Sequence, residues 1–157
     1  MAVAVFSKGR VKGEVLFTNT PKGVRVRAVF TDLPPGQHGF HIHKAGDLRG
    51  EGCKGACDHY HVGPPQHHGG PPGYASGQRH TGDLGNVSLD DGACEKSYYL
   101  AGIQVEDLFG RSVIVHADED DYGSGGYEDS KITGHAGARI ACAIIGRLKQ
   151  LSSSHAS

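Results

Sequence analysis

A chain of 157 residues can bury roughly two thirds of its unfolded surface, so one domain suffices; 25 glycines, seven prolines and no tryptophan exclude a helix bundle in favour of short elements and turn-rich loops. Sixteen basic against 17 acidic residues give a formal net charge of −1 with no basic run, which excludes nucleic-acid binding by charge neutralisation. No segment approaches membrane-spanning length, and residues 1–8 lack the basic start and cleavage site of a secretory signal; the expectation is a cytoplasmic protein whose four cysteines are reduced or metal-bound.

In chain order, strands are predicted at 2–7 and 13–19, then at 23–32, where Val24, Val26, Ala28 and Phe30 alternate with Arg25, Arg27, Val29 and Thr31 in the period of a half-buried strand. Further short runs follow at 37–44, 82–89, 97–103, 111–117 and 139–147. They are punctuated by Pro21-Lys22-Gly23, Pro34-Pro35-Gly36, Asp90-Asp91-Gly92 and Phe109-Gly110. Eight strands without a helical window predict an all-β protein, an antiparallel sandwich or barrel. Two stretches, 46–81 and 118–138, exceed ordinary loop length and are expected to be functional loops. The first carries most of the histidines, so bound metal is a means of fixing it. Residues 1–151 read as a single domain and residues 152–157 as a frayed tail.

Eleven histidines are several times ordinary usage, and their placement matters more than their number. His41 and His43 are one residue apart in Gly39-Phe40-His41-Ile42-His43, and a strand would send both imidazoles to one face, toward one ion. His41, His43, His59 and His116 form an all-imidazole set, whose four nitrogens suit Cu(II), although zinc and nickel also accept imidazole. His59, His68, His80 and Asp83 satisfy tetrahedral zinc, with the His-x-x-Asp spacing of His80 and Asp83 fitting a turn closed on one ion. His59 serves both sets only by losing both ring protons, which two dications on opposite nitrogens promote. Spacing does not choose between His67 and His68. His38, His61, His135 and His155 read as surface or hydrogen-bonded structural residues. A zinc knuckle from Cys53, Cys57, His59 and His61 is the competing reading, but it leaves His41, His43, His80 and His116 unexplained.

Gly39-Phe40-His41-Ile42-His43, His68-Gly69-Gly70-Pro71, the run from Arg79-His80-Thr81-Gly82-Asp83 to Asn86, Val115-His116 and Gly137-Ala138-Arg139-Ile140-Ala141-Cys142 closely resemble the signatures of the copper/zinc superoxide dismutases, in the family's order and across nearly the whole chain. The resemblance implies an eight-stranded antiparallel Greek-key β-barrel with two long functional loops, copper on His41, His43, His59 and His116, and zinc on His59, His68, His80 and Asp83. It selects His68 over His67, because the family's ligand precedes the Gly-Gly pair. It makes Asp120 the carboxylate linking the two sites, Arg139 the channel arginine that holds superoxide, Thr133 the residue narrowing the channel, and Cys53 with Cys142 a disulfide. His59 would be the catalytic histidine that carries a proton.

Four departures from the family's pattern accompany these expectations. One extra residue stands between Asp47 and Cys53 and another in 62–67. Ile132 occupies the place of a channel lysine, with Lys131 one position earlier. Ala45 replaces a large apolar interface residue, and Arg147 sits near the expected dimer contact. The partners implied are superoxide as substrate, a second copy in a homodimer and a copper-delivery protein, with no nucleic acid and no membrane. A rival from another class is a catalytically silent copper/zinc-binding module on the same fold.

Overall fold

The computed structural model describes residues 1–74 and 78–149; the serine-rich end predicted as a tail lies outside them. Among the described residues there are nine strands: β1 (Ala2–Phe6), β2 (Lys12–Thr20), β3 (Gly23–Asp32), β4 (His38–His43), β5 (Asp83–Val87), β6 (Cys94–Leu100), β7 (Ser112–His116), β8 (Arg139–Ile144) and β9 (Gly146–Arg147), with one short α-helix, α1 (Ser130–Thr133), and two single 3-10 turns at Lys54–Ala56 and Val105–Asp107. Every strand pair is antiparallel, in two sheets ordered β6-β3-β2-β1-β9 and β5-β4-β7-β8. β3 pairs with β6 across β4 and β5, which lie in the opposite sheet, and β4 pairs with β7 after the chain has crossed to β6 in the other sheet, the over-connection that makes a Greek key.

The alternation read in 23–32 holds: Val24, Val26, Ala28 and Phe30 are buried and Arg25 and Arg27 exposed. These side chains meet Phe17, Phe40, Ile42, Leu84, Leu100 and Val113 in one apolar core between the sheets. β4 and β7 are buried at every position. One face of each packs into the core; the other is roofed by the long loops, and this roofed face carries the histidines.

The strand predicted at 139–147 is divided. β8 pairs with β7 and β9 with β1, so the chain changes sheets at Ile145, whose N–H donates to Arg111 O and whose carbonyl accepts from Gly110 N–H, both at 2.9 Å. β6 starts earlier than predicted because Asp91 (φ 53°) and Gly92 (φ 81°) complete a tight turn, bridged between Asp90 and Ala93, that leads straight into Cys94. The reduced-thiol expectation from composition fails for two cysteines. Cys53 and Cys142 form a disulfide, with Cα atoms 6.1 Å apart, that ties the first loop to β8, while Cys57 and Cys94 are free.

Candidate metal centre

In β4, Phe40 and Ile42 enter the core, so the two-residue period sends His41 and His43 to the roofed face. Bulges sharpen the aim. The β4–β5 register shifts between Gly39 and His41, and the β7–β8 register shifts between Val115 and His116. Gly39 is required there, since a Cβ would stand 2.6 Å from the Ala136 Cβ. The first loop delivers His59 by an isolated bridge to His43, flanked by the Tyr60 N–H to Ile42 O bond of 2.8 Å. Both loops are then joined by the His68 N–H bond to Lys131 O, also 2.8 Å.

Hydrogen bonding fixes which ring nitrogen of each histidine is left free. His41 Nε2–H donates to Asp120 Oδ2 at 2.5 Å, His43 Nδ1–H to Cys57 O at 2.8 Å, and His116 Nδ1–H to Gly137 O at 3.0 Å. The opposite nitrogens, His41 Nδ1, His43 Nε2 and His116 Nε2, are buried without a hydrogen-bond partner, and so is His59 Nε2. These four atoms lie within 4.8 Å of one another. Buried polar atoms are ordinarily satisfied, and four lone pairs turned on one point are what a metal ion satisfies.

The second set is built the same way. His68 Nε2–H donates to Asp120 Oδ1 at 2.8 Å and His80 Nε2–H to Gln66 O at 2.8 Å, which turns both Nδ1 atoms inward. Asp83 Oδ1 lies 2.9 Å from His59 Nδ1, 2.9 Å from His68 Nδ1 and 3.4 Å from His80 Nδ1, and the His59 and His68 Nδ1 atoms are 3.2 Å apart. Donors about 2.0 Å from a tetrahedral zinc stand roughly 3.3 Å from each other, so this spacing fits that ion. Asp83 Oδ2 is occupied by the Gly69 and His80 amides at 2.9 and 2.7 Å. His59 belongs to both sets through its two nitrogens.

Electrostatics favour neutral imidazoles in the first set. Burial lowers His41 well below the usual histidine range, takes His43 to about 2 and His116 to about 4, with neighbouring His59 adding to each. Burial also lowers His59, against the opposing pull of Asp83. Burial would raise the Asp83 carboxyl, yet hydrogen bonds from His59, His68 and His80 outweigh it and keep the group ionised. For His68, burial is likewise outweighed by Asp120 and Asp83, and its pKa is pushed up to about 9. The first set is therefore poised as neutral nitrogen donors, whereas the two carboxylates favour a proton on His68 that a bound cation would have to displace.

Against His59, shared by both sets, and His80 opens a cleft of about 440 Å³ lined also by Lys44, Asp58, Lys131, Ile132, Thr133 and Arg139 among others. Arg139 donates from Nη1 to Cys53 O at 2.9 Å and from Nη2 to Cys57 O at 2.6 Å. Lys131 lines the cleft despite its one-residue offset.

Three positioning contacts escaped the sequence. Asn86 holds Asp120 from both sides, donating from Nδ2 to its carbonyl at 3.0 Å and accepting its N–H at 2.7 Å. Arg79 bonds the carbonyls of Gly70, Thr81 and Asp83. The Cys57 carbonyl serves both His43 and Arg139. Asn86 and Arg79 stand within a motif whose pattern marked them without assigning them work; a backbone carbonyl leaves no side-chain signal. His38, read as structural, bridges Pro34 O and His116 O at 2.8 and 2.9 Å, His61 bonds Pro64 O at 2.9 Å, and His135 bonds Asp129 at 2.6 Å. His155 lies outside the described residues.

Fold and site together define a Greek-key β protein with a dinuclear imidazole and carboxylate metal centre. Residues 11–145 match the copper/zinc superoxide dismutase (SODC) family. A Cu-Zn superoxide dismutase of Paramecium bursaria Chlorella virus 1 is 43% identical over 154 residues, covering 95% of this chain and 79% of that protein. The crystal structure of the clock protein EA4 superposes with a TM-score of 0.83 at 39% identity, covering 94% of each chain. The chain belongs to the copper/zinc superoxide dismutase family. It is an oxidoreductase that converts superoxide to dioxygen and hydrogen peroxide, with copper and zinc as its cofactors.

Proposed function

We propose that His41, His43, His59 and His116 hold the copper, and that His59, His68, His80 and Asp83 hold the zinc. The observation that carries this reading is the pair of convergent donor sets that share His59. Copper held there would supply the one-electron redox chemistry of the reaction, and zinc would have no redox part.

The protein residues divide the remaining work. Arg139 presents a fixed guanidinium to the cleft and binds the anion; the Cys53 and Cys57 carbonyls orient it. Thr133 narrows the cleft beside it and Lys131 adds charge to its wall. His59 is the catalytic imidazole, able to hold a proton at Nε2 while Nδ1 remains toward Asp83. Asp120 accepts from both His41 and His68, so one carboxylate sets the ring orientation in both sites.

Reconstitution of metal-free protein tests the assignment. Copper-loaded protein should consume superoxide in rapid-mixing assays, and protein loaded only with zinc should not. Activity in copper-free, zinc-loaded protein would overturn the reading, and full metal binding with no superoxide consumption would establish the silent module instead.

The finer partner and location readings belong to the same proposal. Residues 1–151 act as one domain, supported by the single apolar core shared by both sheets. Two chains form a homodimer through the exposed face of Val5, Ile140 and Ile144, and a copper-delivery protein loads the site. The place of work is the cytoplasm, supported by the free thiols Cys57 and Cys94. Among the described residues no helix is long and apolar enough to cross a membrane.

A further inference from the structure

The lining of the cleft comes from several parts of the chain. Lys131 and Thr133 come from α1 and Arg139 from β8, while Lys44 directly follows β4 and Asp58 belongs to the first loop. Lys44 directly follows His43, and its backbone is held on both sides. Its N–H donates to Asp58 O and its carbonyl accepts from Arg111 Nη1, each at 2.9 Å. The root of this side chain is thus fixed to the metal-binding strand, while the residue itself is exposed. Among the described residues no ion pair engages Lys44 or Lys131, so neither charge is neutralised by a bound partner.

Asp58 is the opposing charge. It adjoins His59 in sequence, lines the same cleft and lies near enough to act on the charge of Arg139. An anion approaching Arg139 in this cleft therefore feels the repulsion of this carboxylate as well as the attraction of Lys131. Lys44, bonded through its backbone to Asp58, stands beside it.

We propose that Lys44 is a second guiding cation for the substrate anion, offsetting the neighbouring Asp58 while Lys131 adds charge from α1. The proposal rests on the reading of this cleft as the superoxide channel. It makes Lys44 and Asp58 a coupled pair with opposite effects on one rate, a pattern that packing damage does not produce.

The test measures superoxide consumption against ionic strength in copper- and zinc-loaded protein, together with azide affinity followed by the optical titration of bound copper. Lys44→Gln should slow the reaction about two- to four-fold at low salt, weaken azide by a similar factor and flatten the salt dependence. At about 0.5 M salt, where the Debye length is only a few ångströms, the difference should vanish. Asp58→Asn should act in the opposite direction, Lys44→Gln with Asp58→Asn should return near wild type, and Lys44→Arg should retain the wild-type rate. A Lys44→Gln protein with unchanged rate, salt slope and azide affinity would overturn the proposal, as would a loss equal at all salt concentrations. Failure of the underlying reading is distinct: the wild-type protein itself would then fail to consume superoxide.

Discussion

At the residue scale, the centre depends on where individual hydrogen bonds leave individual lone pairs. Arg139 is a cleft cation and not a member of either donor set. Arg139→Ala should therefore lower the second-order rate at least ten-fold while metal analysis shows unchanged copper, and Arg139→Glu should be slower still. Copper loss in the alanine variant would show that the guanidinium serves the fold instead. Cys57 offers a different test. Its φ of 64° and ψ of −148° lie in a region only glycine adopts without strain, yet its carbonyl must face both His43 and Arg139. Cys57→Gly should raise thermal stability, by about 1 kcal/mol once glycine's extra unfolded-state freedom is subtracted, and Cys57→Val should lower it. A lower melting temperature for the glycine variant would contradict the strain argument. The ligands were legible in the sequence because imidazole and carboxylate are rare and spaced. The carbonyls that orient them were not, since every residue has one.

At the scale of elements, the period of two accounts for most of what the sequence disclosed. Phe40 and Ile42 turned inward compel His41 and His43 outward, and the motifs around them supplied the partners from distant loops. The division of β8 from β9 was not legible, because it depends on the Arg111 and Gly110 backbone seizing Ile145 between the sheets. Nor was α1, which spans four residues and has no periodic signal of its own. The loops connect to the two sheets by different means, and this separates two predictions. Cys53 and Cys142 are 89 positions apart, and releasing a cross-link over such a loop costs about 4 kcal/mol on chain-entropy grounds. Cys142→Ser should lower the melting temperature sharply and also slow superoxide consumption, since Cys53 O is one of the two carbonyls holding Arg139. Zinc removal should act on the same loop at a different place. His59, His68 and His80 all come from loop 46–81, so amide exchange there should accelerate on zinc removal while β1 to β3 stay protected; uniform protection would deny zinc its structural part.

At the scale of the whole molecule, a net charge of −1 accompanies two distinct surfaces, a cleft that carries Lys44, Lys131 and Arg139 and an apolar groove elsewhere. Val5 is 53% exposed, Ile140 40% and Ile144 47%, and all three line one groove with Leu48 and the Cys53–Cys142 disulfide. Alternation explains this face only in part: Val5 lies opposite Ala4 and Phe6 on β1, and its outward side chain has no covering loop. A stable isologous pair needs upward of about 1,000 Å² of buried surface, which requires contacts beyond these residues. Arg147 is a candidate rim group, because its guanidinium lies 5.2 Å over the Phe109 ring and shields that apolar surface. Ala45, where the family resemblance leads one to expect a larger apolar side chain at the contact, would add little to it. The balance predicts a homodimer weaker than its apolar face alone implies, with Arg147→Ile strengthening it by uncovering Phe109 and Ile144→Asp abolishing it. Sedimentation velocity across a dilution series measures both. Since Ile144 is exposed, the aspartate variant should keep its melting transition at concentrations where it is monomeric. A wild-type sedimentation coefficient for Ile144→Asp would move the interface to another face, and tighter association failing to appear in Arg147→Ile would deny Arg147 its shielding role.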